Sequence, residues 1–140
     1  MSTAIEGEEA IGHLADQLLD AAEVTGMLLP IAEAVTMIPG SSEWFERGFV
    51  TYSNDAKSES LGVPSDMLAT HGAVSEPVVR AMALGAIAHS RAQVAVAVTG
   101  VAGPTGGSRS KPVGTVWFAF VVDGICSTEC QRFDGDRAAV

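Results

Sequence analysis

Three clusters in this chain carry residue types that can do chemistry. The first is Tyr52-Ser53-Asn54-Asp55-Ala56-Lys57. A tyrosine closing an apolar run and a lysine one turn into the next helix can face one pocket. The ordinary alternative is a solvated surface lysine beside a tyrosine packed at a rim. The second is the glycine-rich stretch Thr99-Gly100-Val101-Ala102-Gly103-Pro104-Thr105-Gly106-Gly107. It leaves the end of an apolar strand, where α/β proteins place ligands. Its glycines let backbone N–H groups approach an anion, and Lys111 adds positive charge. The Gly-Lys-Ser/Thr ending of a Walker loop is absent, and an ordinary long turn would also account for the composition. The third is Gly135-Asp136-Arg137, where an arginine after a glycine turn suits a phosphate or carboxylate clamp, or a plain surface ion pair.

The elements that must position these residues follow from periodicity and punctuation. Ala10, Ile11, Leu14, Leu18 and Leu19 recur at helical spacing over 8–20. Pro30 opens a helix running to about Met37, and Pro39-Gly40-Ser41-Ser42 breaks it, with Ser41 or Ser42 capping a short turn around Trp44 and Phe45. Gly48–Tyr52, β-branched and aromatic, predicts a strand. Ser53-Asn54-Asp55 caps a helix that stops near Gly62, and Pro64–Thr70 forms another short helical turn. Ser75-Glu76-Pro77 starts a helix to about Ser90 that buries Val79, Met82, Ala83, Ala86 and Ile87. Gln93–Val98 reads as a strand buried on both faces, and Thr115–Val122 as a second. A turn at Asp123-Gly124 leads to Ile125–Phe133 as a hairpin partner. Gly135-Asp136-Arg137 begins a further helix. Helices alternating with buried strands give one α/β domain over residues 1–140, a sandwich with a mixed sheet.

Composition narrows the function classes. The 140 residues fit one domain; 47% hydrophobic and 18% charged residues describe a globular chain rather than a disordered one. The net charge of -9 repels phosphate backbones, so nucleic acid is not an expected partner. Met1–Glu9 has no basic start and no apolar core of a secretory leader. Ala92–Val98 and Val113–Val122 are too short to span a bilayer, so no membrane partner is expected and the cytoplasm is the default location. Cys126 and Cys130, with His13, His71 and His89 distant in sequence, do not make a metal site; four apart on a strand, both thiols can pack on one face.

Taken together, the clusters resemble the C-terminal domain of the CinA family, also called the CinA/PncC family. Pro39-Gly40-Ser41-Ser42-Glu43-Trp44-Phe45-Glu46-Arg47-Gly48-Phe49-Val50-Thr51-Tyr52-Ser53-Asn54 carries the resemblance. So do His71-Gly72-Ala73-Val74-Ser75-Glu76-Pro77, Gly103-Pro104-Thr105-Gly106-Gly107, and Lys111-Pro112-Val113-Gly114-Thr115-Val116-Trp117. The likeness runs from about Thr36 to Arg137 and implies a three-layer α/β/α domain. It also implies hydrolysis of the carboxamide of nicotinamide mononucleotide to nicotinate mononucleotide and ammonia, by a serine nucleophile and a lysine base with no metal or other cofactor. A lysine is protonated at neutral pH unless burial lowers its pKa, which is how such a pair works. By resemblance Lys57 is the base and Tyr52 its neighbour. Thr99, Gly100, Gly103, Gly106 and Gly107 line a pyridine-nucleotide pocket, with Arg137 near the phosphate.

One segment departs from the family. Its serine lies in an Ala-Glu-Ser-Cys-Thr-Gly-Gly stretch, whereas this chain has Ala22-Glu23-Val24-Thr25-Gly26-Met27-Leu28-Leu29-Pro30. Aligned from Ala22-Glu23, Val24 takes the serine's place; aligned back from Pro39-Gly40, Thr25 does. The paired glycines, which would admit a developing oxyanion, are replaced by bulky residues. The expectation is therefore an impaired amidohydrolase that keeps its nucleotide pocket. The alternatives are an enzyme using Thr25 (Ser41 and Ser53 look like caps) and a non-catalytic nucleotide-binding or interaction module. The resemblance also predicts a helix beyond Val140. Its loss would leave apolar sheet surface for a partner to cover, so a homo-oligomer is expected.

Overall fold

The computed structural model describes residues 29–137 and Val140. Helix α1 spans Leu29–Thr36, with Pro30 in its first turn, where a missing N–H costs nothing. A 3-10 turn over Ser41–Glu43 follows. Its cap is Gly40, left-handed at φ 84°, rather than Ser41 or Ser42. The Ser41 hydroxyl instead donates back to the Thr36 carbonyl, 3.3 Å away.

Helix α2, Asn54–Leu61, is capped by Ser53, whose hydroxyl accepts from the Ala56 N–H at 3.0 Å, and it ends at left-handed Gly62. Helix α3 spans Ser65–His71 and α4 spans Glu76–Ala88, with proline in the first turn of α4. Ser75 takes the N-cap position, as its place before Glu76-Pro77 predicts, but its hydroxyl donates to Gly72 O at 2.8 Å rather than capping.

Strands β1 (Val94–Gly100), β2 (Thr115–Val122) and β3 (Ile125–Arg132) form a sheet in that order, both pairings antiparallel. Val98 lies opposite Phe118, and Ala119 opposite Thr128. The β2–β3 turn holds Asp123 and Gly124 at φ 49° and 79°, as a tight hairpin demands. Helix α4 crosses one face of all three strands. Val78, Val79, Met82 and Ala83 meet Ala97, Ala119 and Val121 there, and Leu61, Val63 and Leu68 of the α2–α3 region complete the core. The α/β class, with helices packed on a sheet, is borne out.

Two expectations need correction. Gly48–Tyr52 is not a strand: it has no ladder partner among the described residues, and a run of suitable side chains cannot supply one. Strand β1 is not buried on both faces; Ala97 and Thr99 are buried but Val94 is 38% exposed. The helix expected over 8–20, and Val24 and Thr25, lie outside the described residues.

Candidate active site

Lys57 sits one turn into α2 and is only 6% exposed. Its Nζ donates to Thr51 O at 2.7 Å and to Tyr52 O at 3.2 Å. No carboxylate pairs with it among the described residues, so burial alone pushes its pKa below the ordinary lysine value of 10.5. A neutral amine has two N–H groups and one lone pair. With both N–H groups given to carbonyls, the lone pair is left for a proton from elsewhere, which is the state a base requires. The solvated-surface alternative for Lys57 is therefore excluded.

Capping is what brings Lys57 inward. Ser53 fixes the first turn of α2, and the Lys57 N–H bonds to Ser53 O at 3.2 Å, so the side chain folds back over the segment that precedes the helix. Tyr52 is 82% exposed; its backbone, rather than its ring, meets the amine. Thr51, 6% exposed, supplies the shorter of the two bonds and was not singled out from the sequence. The only available signal was its inward phase in the alternating run 49–52.

The glycine-rich loop is a second centre, folded against its own residues. The β1–β2 pairing extends into it through Val101 N to Thr115 O at 2.9 Å and Gly114 N to Val101 O at 2.8 Å. Side chains are excluded at several glycines. A Cβ on Gly103 would lie 2.5 Å from Val113 Cγ1, one on Gly107 2.9 Å from Val113 N, and one on Gly100 2.9 Å from Val116 Cγ2. Only at Gly106, φ +88°, is the space around the position open within 4 Å. The Arg137 Nε–H donates to Gly103 O at 2.8 Å, so the arginine and the loop predicted from separate motifs do meet.

Three successive carbonyls at the end of α3 and in the α3–α4 connection accept side-chain hydrogen bonds, two of them from the strand and loop around the glycine-rich stretch and one from within the connection. Lys111 Nζ donates to His71 O, Ser75 Oγ to Gly72 O, and Thr99 Oγ1 to Ala73 O at 3.0 Å. Thr99 is 6% exposed. Thr99, Gly103 and Arg137 thus belong to one connected region, and Lys57 with Thr51 and Tyr52 to another. No hydrogen bond links the two among the described residues. Nor does any group of three or more His, Cys, Asp or Glu among them suit a metal ion. No helix among them is long and apolar enough to cross a membrane.

Known proteins resemble this chain in sequence and in fold. Nicotinamide-nucleotide amidohydrolase PncC of Escherichia coli strain K12 is 59% identical over 113 residues, covering 79% of this chain and 67% of the relative. The protein of that name from Pseudomonas putida is 58% identical over 110 residues, covering 79% and 69%. The chain thus spans about two thirds of the length of these curated relatives. The competence/damage inducible protein CihA of Agrobacterium tumefaciens superposes with a TM-score of 0.72 at 44% identity, over 86% of this chain and 79% of that one. A CinA superfamily protein of Klebsiella pneumoniae 700603 gives 0.74 at 33% identity, over 89% and 84%. The family model for the CinA C-terminal domain matches residues 15–140, and the chain belongs to that family.

Proposed function

We propose that this chain is a pyridine-nucleotide-binding domain of amidohydrolase type, with carboxamide hydrolysis impaired because no serine stands at the nucleophile position. The observation that carries the reading is the buried Lys57 amine, held by two backbone carbonyls and lowered in pKa by burial alone. In the intact reaction a hydroxyl gives its proton to such an amine and adds to the carboxamide carbon. The C–N bond then breaks, ammonia leaves with a returned proton, and water releases the acid. Here Lys57 supplies the base, while Thr25 is the one hydroxyl at the aligned position and carries an extra methyl. The relatives named as nicotinamide-nucleotide amidohydrolases support nicotinamide mononucleotide as the ligand. Thr99 and the loop through Gly100, Gly103, Gly106 and Gly107 would line its pocket. Arg137 would contact the phosphate with the guanidinium nitrogens that the Gly103 bond leaves over.

The test is ammonia release from nicotinamide mononucleotide, with Lys57→Ala and Thr25→Ala as controls, beside thermal unfolding with and without the nucleotide. The expected result is release no faster than in the Lys57→Ala control, together with a rise in Tm on adding nucleotide. Turnover that Lys57→Ala abolishes would refute the impairment. An unchanged Tm at millimolar nucleotide would refute binding.

A further inference from the structure

Both carbonyls that hold the Lys57 amine belong to one short stretch of chain, so whatever fixes that stretch fixes the surroundings of the amine. Phe49 anchors it by packing on the core. A single apolar anchor is a pivot, and a swing of about 1 Å would break the 2.7 Å bond to Thr51 O. Beyond the pivot, Arg47 ties the stretch down. Its Nη1–H donates at 3.1 Å to His89 O, 42 residues away in sequence. His89 is the C-cap of α4, where the last carbonyls of a helix lack partners and favour a cation. Glu46 aims the guanidinium: Nε and Nη2 each donate to one carboxylate oxygen at 2.6 Å, a fork that leaves Nη1 for the helix end. That bonding holds the Glu46 carboxyl below its ordinary pKa, and Arg91, just past His89, acts in the same direction. The same end of α4 also seats α2. A Cβ on Gly62 would lie 3.5 Å from His89 Cε1, and one on Gly85 2.0 Å from Leu61 O. The amine and its two acceptors are thus fastened to one foundation, Lys57 through α2 and the carbonyls through Arg47.

We propose that Arg47 is a positioning residue, whose clasp on the end of α4 keeps the Thr51 and Tyr52 carbonyls against the Lys57 amine. It acts through the backbone between Arg47 and Thr51, not by contact with reacting atoms. An exposed ion pair between sequence neighbours contributes little stability by itself. Its use here is direction: the fork fixes where the third guanidinium nitrogen points. Without the clasp the stretch swings on Phe49, water reaches the amine, and the amine keeps its proton at neutral pH. This role rests on the reading of Lys57 as a buried base, so it is tested on the titration of the amine rather than on ammonia release.

Lys57 and Lys111 are the only lysines, so the full chain carrying isotope-labelled lysine gives two side-chain signals, which Lys57→Met assigns. Nuclear magnetic resonance then follows both through a pH series in the wild type, Arg47→Met and Arg80→Met. Arg80 is the control: it also pairs with a carboxylate and donates to a distant backbone carbonyl at similar exposure, but toward the start of α4. Arg47→Met should raise the Lys57 midpoint by about half a pH unit or more, with Lys111 unmoved and far-ultraviolet circular dichroism unchanged. Arg80→Met should move neither midpoint. Arg47→Lys keeps a donor for His89 O and should restore most of the wild-type midpoint. Glu46→Gln disturbs the fork without removing the guanidinium; it should shift the midpoint the same way by less, and decides the matter if Arg47→Met does not fold. A fall in Tm with the Lys57 midpoint unmoved would make the clasp merely structural and overturn the proposal, as would an equal rise in Arg80→Met. A wild-type midpoint at the ordinary lysine value would instead refute Lys57 as the base, and the positioning role with it.

Discussion

Replacing Gly85 with alanine tests how tightly α2 is seated on α4. A methyl there would lie 2.0 Å from Leu61 O, 2.9 Å from its carbonyl carbon and 3.1 Å from its Cβ. Even a close C–H···O contact needs about 3.3 Å, so the two helices must part by roughly 1 Å or more. The first two of those atoms are backbone, so no side-chain rotation relieves the clash. Alanine gains about 1 kcal/mol over glycine inside a helix. Against that, overpacking costs ~1–3 kcal/mol, and parting the helices also loosens contacts around Leu61, Met82 and Ala83, each no more than 6% exposed. The net expectation is a loss of about 2 kcal/mol, a fall in Tm of roughly 6–8 °C for a domain of this size. Thermal and urea unfolding followed by circular dichroism measure it. An unchanged or higher Tm would mean that propensity outweighs packing and that the α2–α4 contact gives freely. Because α2 carries Lys57, the same variant should let water reach the amine and move its pKa back toward the ordinary value.

The remaining predictions concern the two halves of the site. Burial depresses the Lys57 pKa, so between its folded value and the unfolded value near 10.4 the unfolded chain binds more protons, and stability rises with pH across that window. Lys57→Met removes this slope; urea unfolding at a series of pH values should show the wild type gaining on the variant as pH rises, and parallel profiles would refute the assignment. Thr99→Val keeps shape but strips Ala73 O of its donor, which should cost ~1–2 kcal/mol and speed hydrogen exchange in the α3–α4 connection.

Much of the frame was legible because its signals are local. Ser53 before α2, Gly62 after it, Pro77 in the first turn of α4 and the Asp123-Gly124 hairpin each act within a few residues, and each stands where the sequence puts it. Gly48–Tyr52 misled because β-branched and aromatic residues report a fit to a pleated surface, while a strand also needs a neighbour, and the neighbour is not a local property. Lys57 could not be told from a solvated lysine by spacing alone; its burial depends on how α2 folds back over Thr51. The glycine loop was legible as a loop. The reasons for Gly103 and Gly107 were less so, because the Val113 packed beneath them is reached only through the return of the chain.

The three carbonyls of the α3–α4 connection carry an evolutionary consequence. A backbone oxygen is present whatever side chain its residue bears, whereas each donor that reaches it is set by residue type. Drift should therefore be uneven across these contacts. His71 and Ala73 can be exchanged without losing an acceptor, but at Lys111, Ser75 and Thr99 only another side chain with an O–H or N–H donor of similar reach keeps the bond. Gly72 is the exception among the acceptors: its φ of 73°, and the 3.4 Å that a Cβ would leave to Lys111 Nζ, tie its identity to conformation rather than to bonding. Variation tolerated on one side of the contact and refused on the other is the signature such a fastening should leave among related chains.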